Sequence, residues 1–436
     1  MCFMYTLVQE CHNGVPAVVE QAARVEGIAP RDLARSVARG RVVIPANPCR
    51  KHPACAVGEG CRVKVNVNVG TSGERCDEAL EIRKAEAAIK NGADTLMDLS
   101  TGGDLPRIRK SILALDVPVG TVPVYEAVRK AGNVADVDSD TLFNVIRQHC
   151  KDGVDFLTLH CGVNYEALAA LREDPRLMGV VSRGGAFHIA MMVQREEENP
   201  LFKEYDYLLD ILADSDVVIS LGDGMRPGCL QDAGRRAKTV EYLTLGSLAH
   251  RALDRGVQRM VEGPGHIPMN QIEYNVKVIK ELTDHAPLYL LGPLVTDIGA
   301  GYDHVVAAIG GAIACESGAD FLCMVTPAEH LALPDVDDII EGTRVACLAA
   351  HVGDMARRKD DSVLQRESQM ADARRRLDWE GQFRLGLFGD VARKIHERDG
   401  KLETCSMCGD LCAMKLVKGL LEKEPPQNSN NRTRYE

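Results

Sequence analysis

Three cysteines near the C-terminal end of the chain have a spacing that suits metal chemistry. Cys405, Cys408 and Cys412 form the motif C-S-M-C-G-D-L-C, with no fourth cysteine or histidine close by. Three thiolates can hold a 4Fe-4S cluster and leave one iron open to a small molecule. A zinc site that lacks its fourth ligand and a redox pair of thiols are the alternatives. The spacing favours the iron–sulfur cluster.

The chain has 15 cysteines in all. An odd number without a secretion signal predicts a reducing, cytoplasmic location and no disulfide framework. Cys49, Cys55 and Cys61 are separated by equal intervals that match no ligand pattern, so their role is left open. Six others stand in apolar surroundings and are predicted to be packing residues: Cys150, Cys161, Cys229, Cys315, Cys323 and Cys347.

Two histidines are candidates for a second metal site. His266 lies in EGPGHIP and His330 lies in TPAEHL, each after an apolar run. Imidazoles suit zinc or iron, with water or substrate at the remaining positions. A lone histidine is also often a satisfied core residue, and the distance between the two in sequence does not decide the matter.

Two arginines point to an anionic substrate. Arg183 lies in SRGG and Arg226 lies in DGMRPG. The planar guanidinium fits phosphate or carboxylate, and neighbouring glycines let backbone amides approach an anion. SRGG leads directly into the helical stretch AFHIAMMVQRE, whose N-terminus would favour negative charge. The sequence therefore predicts a phosphorylated small molecule as substrate.

Short apolar runs that alternate with helical stretches must position these residues. Nine such runs occur, at 64–70, 94–100, 118–125, 155–163, 178–183, 216–224, 258–265, 287–294 and 320–326. This alternation is typical of parallel βα units. Eight or nine units without an early G-x-G-x-x-G favour a (β/α)8 barrel over a doubly wound sheet.

Polar side chains cluster where these runs end, which is where a barrel of this kind carries its chemistry. Each residue by itself could be a helix N-cap or a satisfied core group. Together they predict one ligand pocket ringed by polar groups. The residues are Asn66, Asn68, Met97, Asp98, Ser100, Tyr125, His160, Ser182, Arg183, Asp223, Arg226, Glu262, His266, Tyr289 and His330.

Composition excludes some classes of protein. The 436 residues include 52 Lys and Arg against 63 Asp and Glu, for a net charge of −11. This balance argues against nucleic acid or an anionic membrane as a partner, and no apolar run reaches transmembrane length. We predict four segments: an N-terminal segment (1–61), the catalytic barrel (62–358), a helical extension with the cluster motif (359–421) and a disordered tail (422–436).

The motifs taken in order resemble a known family. VNVNVGTS, MDLSTGGD, GTVPVY, TLHCGV, SRGGAF, EGPGHIP, VTPAEHL and CSMCG are similar to the phosphomethylpyrimidine synthase family of the radical SAM enzymes, from about residue 16 to 420. The resemblance implies a (β/α)8 barrel and 5-aminoimidazole ribotide as substrate. It also implies an electron donor protein and a homodimer in which the C-terminal segment reaches the partner's active site.

The resemblance also assigns roles to residues. It implies that the cluster on Cys405, Cys408 and Cys412 binds S-adenosylmethionine, which one electron splits to give a 5′-deoxyadenosyl radical. That radical would abstract hydrogen from the ribotide. His266 and His330 would hold zinc (or iron). The implied substrate contacts are Asn68, Met97, Tyr125, His160, Ser182, Arg183, Gly184, Asp223, Gly224, Met225, Arg226, Glu262 and Tyr289.

Several positions depart from the family's usual pattern. The last two cluster cysteines are one residue closer together, and Val67, Met225, Gly299 and Ala300 replace the usual residues. These positions are predicted to border the pocket, and substitutions around an intact substrate set favour a change of product. We therefore predict the paralogue 5-hydroxybenzimidazole synthase, which serves the cobamide lower ligand, with the thiamine pyrimidine synthase as the alternative. A redox-sensing barrel and a hydrolytic zinc barrel using the two histidines are rivals from other classes.

Overall fold

The computed structural model describes residues 5–357, 361–400 and 402–421. The chain divides into two compact units, one up to residue 358 and one from residue 359. The predicted disordered tail, 422–436, lies outside the described residues. In the described ranges, no helix combines the length and apolar character that a membrane span needs.

The first unit begins with a small helical layer. It contains helices α1 (Leu7–Asn13), α2 (Ala17–Glu26) and α3 (Pro30–Ala38), and the antiparallel pair β1 (Val42–Val43) and β2 (Val57–Gly58). The sequence predicts two short helices, in PAVVEQAARVEG and PRDLARSVARG, and α2 and α3 confirm both. Helix α1 was missed, although Thr6 and Gln9 form a capping box that marks its start.

Eight parallel strands then form a closed barrel. They are β3 (Lys64–Val69), β4 (Thr95–Asp98), β5 (Val119–Thr121), β6 (Phe156–Leu159), β7 (Val218–Leu221), β8 (Arg259–Glu262), β9 (Leu288–Leu291) and β10 (Phe321–Cys323). Each strand pairs with the next in sequence, and β10 closes the ring on β3. The predicted (β/α)8 barrel is confirmed.

Helices follow each strand and cover the outside of the barrel. They are α4 (Glu78–Lys90), α5 (Leu105–Leu113), α6 (Pro123–Ala131), α7 (Ser139–Asp152), α8 (Tyr165–Glu173), α9 (Arg183–Arg195), α10 (Pro200–Lys203), α11 (Tyr205–Ser215), α12 (Arg236–Asp254), α13 (Ile272–Leu282), α14 (Asp303–Ser317) and α15 (Val336–Arg357).

One of the nine predicted strands was wrong. Residues 178–182 form a loop that runs into α9, which begins at Arg183. Gly179 has a φ of +65°, which interrupts an extended strand. Val181 packs closely against Gly228 of another loop. The two valines of this run therefore serve loop packing at the rim of the barrel.

Aromatic rings fill the barrel interior. The Tyr289 and Phe321 rings stack with their centroids 4.3 Å apart, and Phe156 meets Phe321 edge to face at 6.4 Å. Gly120 pairs with Phe156 across the neighbouring strands, and a Cβ at Gly120 would lie 2.1 Å from the Phe156 ring. A glycine is needed there because the ring occupies the space of a side chain.

A buried ion pair fastens the N-terminal layer to the barrel. The Asp155 carboxylate, just before β6, accepts hydrogen bonds from the Asn47 backbone N–H at 3.0 Å and from the Val119 N–H at 2.8 Å. It also pairs with the Arg50 guanidinium at 2.5 Å and with His52 Nε2 at 2.9 Å. One carboxylate thus joins the residues after β1 to two barrel strands.

Replacement of this carboxylate is expected to be strongly destabilising. Asp155→Ala leaves Arg50 and His52 buried without their anion, which should lower the free energy of unfolding by about 3–5 kcal/mol. Chemical denaturation followed by circular dichroism measures the change. Glu173→Ala is the control, because its pair with Arg236 is exposed and should contribute at most about 1 kcal/mol. Equal losses in the two variants would contradict the role of Asp155.

The same pair predicts a pH dependence. Burial opposes protonation of His52, but the hydrogen bond and charge of Asp155 outweigh it and raise the His52 pKa above its usual 6.5. The resulting stabilisation is complete below about pH 6.5 and is lost as the pH rises through the raised pKa. The melting temperature of His52→Gln relative to wild type should therefore show a deficit that shrinks at alkaline pH. A constant deficit would contradict this assignment.

The second unit is helical and carries the cysteine motif. It contains α16 (Asp361–Arg376), α17 (Trp379–Leu385), α18 (Gly389–His396) and α19 (Ala413–Leu421). The Trp379 ring stacks on His396 with centroids 3.8 Å apart, and its Nε1 donates to the Glu403 carbonyl at 2.9 Å. Trp379 therefore ties the segment just before the motif to two helices of this unit.

Candidate active site

A cavity lies at the carboxyl ends of the barrel strands. Its empty space, counted together with the part that is open to solvent, is about 510 Å³. Nine of the thirteen substrate residues implied by the resemblance line it: Asn68, Met97, Tyr125, His160, Ser182, Asp223, Arg226, Glu262 and Tyr289. The other lining residues are Leu99, Val122, Thr158, Gly263, Leu291 and Cys323. Nine of the fifteen predicted strand-end residues therefore line one pocket, and the other six do not: Asn66, Asp98, Ser100, Arg183, His266 and His330.

The remaining four implied residues lie around the cavity rather than in its wall. Arg183 places its guanidinium 5.2 Å from the Tyr125 ring centre. A Cβ at Gly184 would lie 2.1 Å from the His160 ring, and one at Gly224 would lie 2.2 Å from Val163. The two glycines therefore allow close packing behind the wall.

Met225 faces away from the cavity. Its side chain is fully buried in an apolar cluster with Val163 and Ala167. Its backbone N–H donates to the Glu241 carboxylate at 2.9 Å. Contact between the Met225 side chain and a ligand in this cavity has no support in the structure, and a substrate role for its backbone stays a prediction.

Asn66 orients two of the cavity residues. Its Nδ2 donates to Asn68 Oδ1 and to the Tyr289 hydroxyl, both at 2.8 Å. Thr95 Oγ1 in turn donates to Asn66 Oδ1 at 2.8 Å. Asn68 Nδ2 donates to Cys323 Sγ at 3.1 Å. This network fixes one side of the cavity before any ligand binds.

Asp223, Arg226 and Glu262 form the charged part of the wall. Arg226 Nη1 lies 3.0 Å from Asp223 Oδ1, and the Asp223 N–H donates to Glu262 Oε2 at 3.3 Å. Thr158 Oγ1 donates to Glu262 Oε1 at 3.0 Å. Burial raises the Asp223 pKa well above its usual range, although Arg226 opposes this, and Asp223 Oδ2 has no partner among the described residues. Asp223 is therefore suited to hold a proton or to accept a ligand's hydrogen bond.

His160 presents a neutral imidazole to the cavity. Burial, together with the nearby His188 and Arg226, lowers its pKa well below 6.5. Its Nδ1 is buried and has no hydrogen-bond partner within the described chain. Gly184 and Gly222 lie against the ring. An uncharged imidazole can donate or accept a hydrogen bond without adding charge to the pocket.

The start of α9 is suited to an anion. The helix begins at Arg183, three residues before the predicted stretch AFHIAMMVQRE, and Ser182 caps it by accepting the Gly185 N–H at 3.2 Å. Free backbone N–H groups in this first turn, next to the Arg183 guanidinium, favour a phosphate or carboxylate. With Arg226 in the cavity wall, the arrangement supports an anionic ligand.

His266 and His330 come together. Their ring centres lie 5.4 Å apart. His266 Nδ1 lies 3.0 Å from Asp297 Oδ1, and His330 Nδ1 lies 3.4 Å from Asp303 Oδ2. Two imidazoles on one tetrahedral zinc have ring centres about 5 Å apart, because each Zn–N bond is about 2.1 Å. Carboxylates on both Nδ1 atoms are the usual outer partners of metal-bound imidazoles, so the pair fits a divalent metal.

A third protein ligand is not seen at this pair. Throughout the described ranges, no three or more His, Cys, Asp and Glu side chains group in a way that could hold a metal ion. The predicted zinc or iron at His266 and His330 therefore stays a prediction. Water or substrate would have to supply the other ligands.

One cysteine of the motif, Cys405, favours the thiolate form. Backbone N–H groups of Cys408 and Met407 lower the Cys405 pKa. Partial desolvation and the charges of Cys405 and Cys412 raise the Cys408 pKa. Three cysteines are the donor set of a 4Fe-4S cluster with one open iron, although in the described residues their side chains are not gathered into a metal-binding group.

Sequence reasoning missed some members of the site. Thr158 lines the cavity and was not named. Cys323 was predicted to be a packing residue, but it lines the cavity as well. The register pairs Cys323 with Asn66, so its place at the end of β10 was the available signal. Cys55 and Cys61 are buried in apolar clusters and Cys49 is exposed.

The model of the Radical SAM ThiC family matches residues 6–419. The chain belongs to that family. Membership in the ThiC family implies S-adenosylmethionine and an iron–sulfur cluster as cofactors.

The ThiC relatives match over nearly their whole length. A phosphomethylpyrimidine synthase of Archaeoglobus fulgidus is 51% identical over 96% of this chain and 100% of its own. The phosphomethylpyrimidine synthase of Methanopyrus kandleri is 50% identical over 96% of this chain and 99% of its own. Phosphomethylpyrimidine synthase 2 of Methanosarcina barkeri is 49% identical over 96% and 99%.

These relatives overturn the predicted product. The expectation of 5-hydroxybenzimidazole synthase was wrong, because the similar full-length proteins are named phosphomethylpyrimidine synthase. The departures on which it rested do not reach the cavity. Val67 and Met225 are fully buried elsewhere, and Gly299 and Ala300 lie outside the cavity lining.

Solved structures give a weaker likeness. Dihydropteroate synthase from Thermus thermophilus matches with a TM-score of 0.40 and 14% identity, over 67% of this chain and 94% of its own. The enzyme from Coxiella burnetii matches with a TM-score of 0.42 and 9% identity, over 70% and 97%. Values this low support no inference about this chain.

Proposed function

We propose that the chain converts 5-aminoimidazole ribotide to 4-amino-5-hydroxymethyl-2-methylpyrimidine phosphate, the pyrimidine precursor of thiamine, as a radical SAM lyase. The observation that carries this proposal is the identity of about 50% to phosphomethylpyrimidine synthases across nearly the whole chain. The cavity supports it, because nine residues of the implied substrate set line one pocket.

The charged and polar groups of the cavity suit the ribotide. Its phosphate would lie near Arg183 and the first turn of α9, with Arg226 contributing charge from the wall. Asn68 and Tyr289 would hold the polar edges of the sugar and ring through oriented amide and hydroxyl groups. Asp223 and the neutral His160 would hold protons at Oδ2 and on the imidazole, respectively. These fixed groups would position a reactive substrate and exclude water.

The cysteine motif would hold the cluster. Cys405, Cys408 and Cys412 supply three thiolates, and their donor set fits the 4Fe-4S cluster that the family implies. When bound, the cluster would reductively cleave S-adenosylmethionine and supply the 5′-deoxyadenosyl radical. His266 and His330 would hold zinc, or iron, close to the cavity. The same resemblance leads us to propose a homodimer and an electron donor protein.

Asn66 is expected to act on substrate binding through its neighbours. Asn66→Ala removes the donor that holds Asn68 and Tyr289, so the dissociation constant of the ribotide should rise about tenfold, as the loss of one or two net hydrogen bonds implies. Titration calorimetry without reductant measures it. Asn144→Ala, on the exposed face of α7, is the control and should bind normally. Unchanged affinity in Asn66→Ala, with a normal melting temperature, would contradict this role.

One assay tests the function itself. The protein is reconstituted with iron and sulfide under anaerobic conditions and mixed with ribotide, S-adenosylmethionine and dithionite. Mass spectrometry should find hydroxymethylpyrimidine phosphate, methionine and 5′-deoxyadenosine. A different product from the ribotide would overturn the proposal. No cleavage of S-adenosylmethionine by the fully loaded protein would favour the redox-sensing barrel.

A further inference from the structure

Asp297 touches the histidine pair and the substrate loop at once. Its Oδ1 lies 3.0 Å from His266 Nδ1. Its Oδ2 accepts the backbone N–H of Leu230 at 2.9 Å. Leu230 ends the segment 222–230, which follows β7 and carries Asp223 and Arg226. We call this segment the β7 loop.

A second contact joins the same two regions. The His266 backbone N–H donates to the Pro227 carbonyl, in the middle of the β7 loop, at 3.3 Å. Arg226 Cδ lies close to Gly265, the residue before His266. The position of His266 and the shape of the β7 loop are therefore linked by one side-chain bridge and one backbone bond.

The other histidine has a different attachment. Asp303 orients His330, and within the described part of the chain it makes no hydrogen bond to the β7 loop. Each aspartate thus contacts the Nδ1 atom of one imidazole, but Asp297 also accepts a hydrogen bond from the β7 loop. This difference gives a matched pair of positions for experiment.

We infer that Asp297 couples the two-histidine metal site to the β7 loop, so that zinc and the ribotide raise each other's affinity. The inference rests on the proposed function, which places zinc on the histidines and the ribotide in the cavity. Metal on an imidazole strengthens the hydrogen bond from its other nitrogen, which holds Asp297 and therefore Leu230 more firmly. Linkage makes the effect reciprocal.

The expected effect of zinc on the affinity for the ribotide is moderate. The Asp297 side chain is 37% exposed, so water competes for its carboxylate. Zinc at saturation should therefore lower the dissociation constant of the ribotide about fivefold, at the low end of allosteric couplings. Asp297 is a positioning residue, and its effect is expected in binding rather than in the chemical step.

The experiment measures the ratio of the ribotide dissociation constants without and with zinc. The reconstituted full-length protein is prepared with zinc and after removal of zinc by chelation, and the ribotide is titrated calorimetrically without S-adenosylmethionine or reductant. Zinc affinity is measured separately by competition with a chelating dye. Wild type should give a ratio of about five between the two ribotide dissociation constants.

Three variants separate the contributions. Asp303→Asn should weaken zinc binding and keep the ratio at saturating zinc. Asp297→Asn should weaken zinc binding and lower the ratio to about one, because an amide has one acceptor oxygen and a donor NH2, so it cannot accept from His266 and from Leu230 as the two carboxylate oxygens do. Leu230→Pro removes the loop N–H at the first position of a short 3-10 turn, which tolerates proline, and should lower the ratio without changing zinc affinity.

Each result is decisive. A ratio near five in Asp297→Asn or Leu230→Pro overturns the inference, as does a ratio near one in wild type that binds zinc and ribotide normally. Failure of wild type to bind zinc overturns the proposed metal site and the coupling with it. Failure of the wild-type protein to bind the ribotide overturns the proposed substrate, and the coupling with it.

Discussion

Cys408→Ala is expected to abolish the cleavage of S-adenosylmethionine. The variant leaves Cys405 and Cys412 as the two remaining thiol ligands of the motif, and a 4Fe-4S cluster of this kind needs three. Iron and sulfide content should fall to background after reconstitution, and 5′-deoxyadenosine formation should fall with them. The barrel unit should keep its melting temperature, because the motif belongs to the second unit.

Cys76→Ala is the matched control for this variant. Cys76 is an exposed free thiol in the barrel unit, outside the cysteine motif. The Cys76→Ala protein should bind iron and cleave S-adenosylmethionine as the wild-type protein does. Full activity on the ribotide in Cys408→Ala would sink the radical mechanism and favour hydrolysis at the histidine pair.

Arg226→Ala is expected to weaken ribotide binding by about 10–100-fold. A hydrogen bond to a charged group contributes about 1.5–3 kcal/mol, which corresponds to that range of affinity. The loss should be larger for the ribotide than for the riboside without phosphate, because Arg226 is proposed to act on the anion. Calorimetric titration of both ligands into wild type and variant gives the comparison.

Two controls keep this result interpretable. Arg235→Ala removes a partly exposed arginine, paired with Asp174, that does not line the cavity, and the variant should bind both ligands normally. Asp223 is buried, so the variant is also made with Asp223→Asn to avoid an unpaired buried carboxylate. Equal losses for ribotide and riboside would assign Arg226 to the shape of the wall and not to the phosphate.

The sequence predicted the barrel because its strands carry a strong local pattern. β-branched runs such as the one at Lys64–Val69 read as buried parallel strands wherever they occur. The run at 178–183 had the same local pattern but packs in a loop against Gly228, a contact that local sequence does not contain. Long-range contacts therefore decided the one strand that was wrong.

The cavity residues were predicted from position rather than chemistry. Asn68, His160 and Glu262 were found because each stands at or near the end of a strand. Cys323 was missed as a lining residue because an apolar strand gives no sign of which face a cysteine occupies. That face depends on the pairing of β10 with β3, across most of the barrel sequence.

The wrong prediction of the product has a similar cause, because local sequence does not show which way a side chain points. Met225 was read as a residue at the border of the pocket because it lies between Asp223 and Arg226 in sequence. In the fold its side chain turns into a separate apolar cluster. A substitution at Met225 changes the packing of this apolar cluster behind the loop, and it does not predict which compound is made.

The closure of β10 on β3 has a consequence for the order of events in synthesis. Asn68 and Cys323, which touch across that seam, are 255 positions apart in the chain. At roughly 5–20 residues per second, the ribosome needs on the order of 13–50 s between them. Until then the first strand has an unpaired edge and the cavity lacks a wall. A nascent chain that has not yet reached Cys323 therefore gains no stability from bound substrate. The unpaired edge of β3 is then protected neither by β10 nor by a ligand.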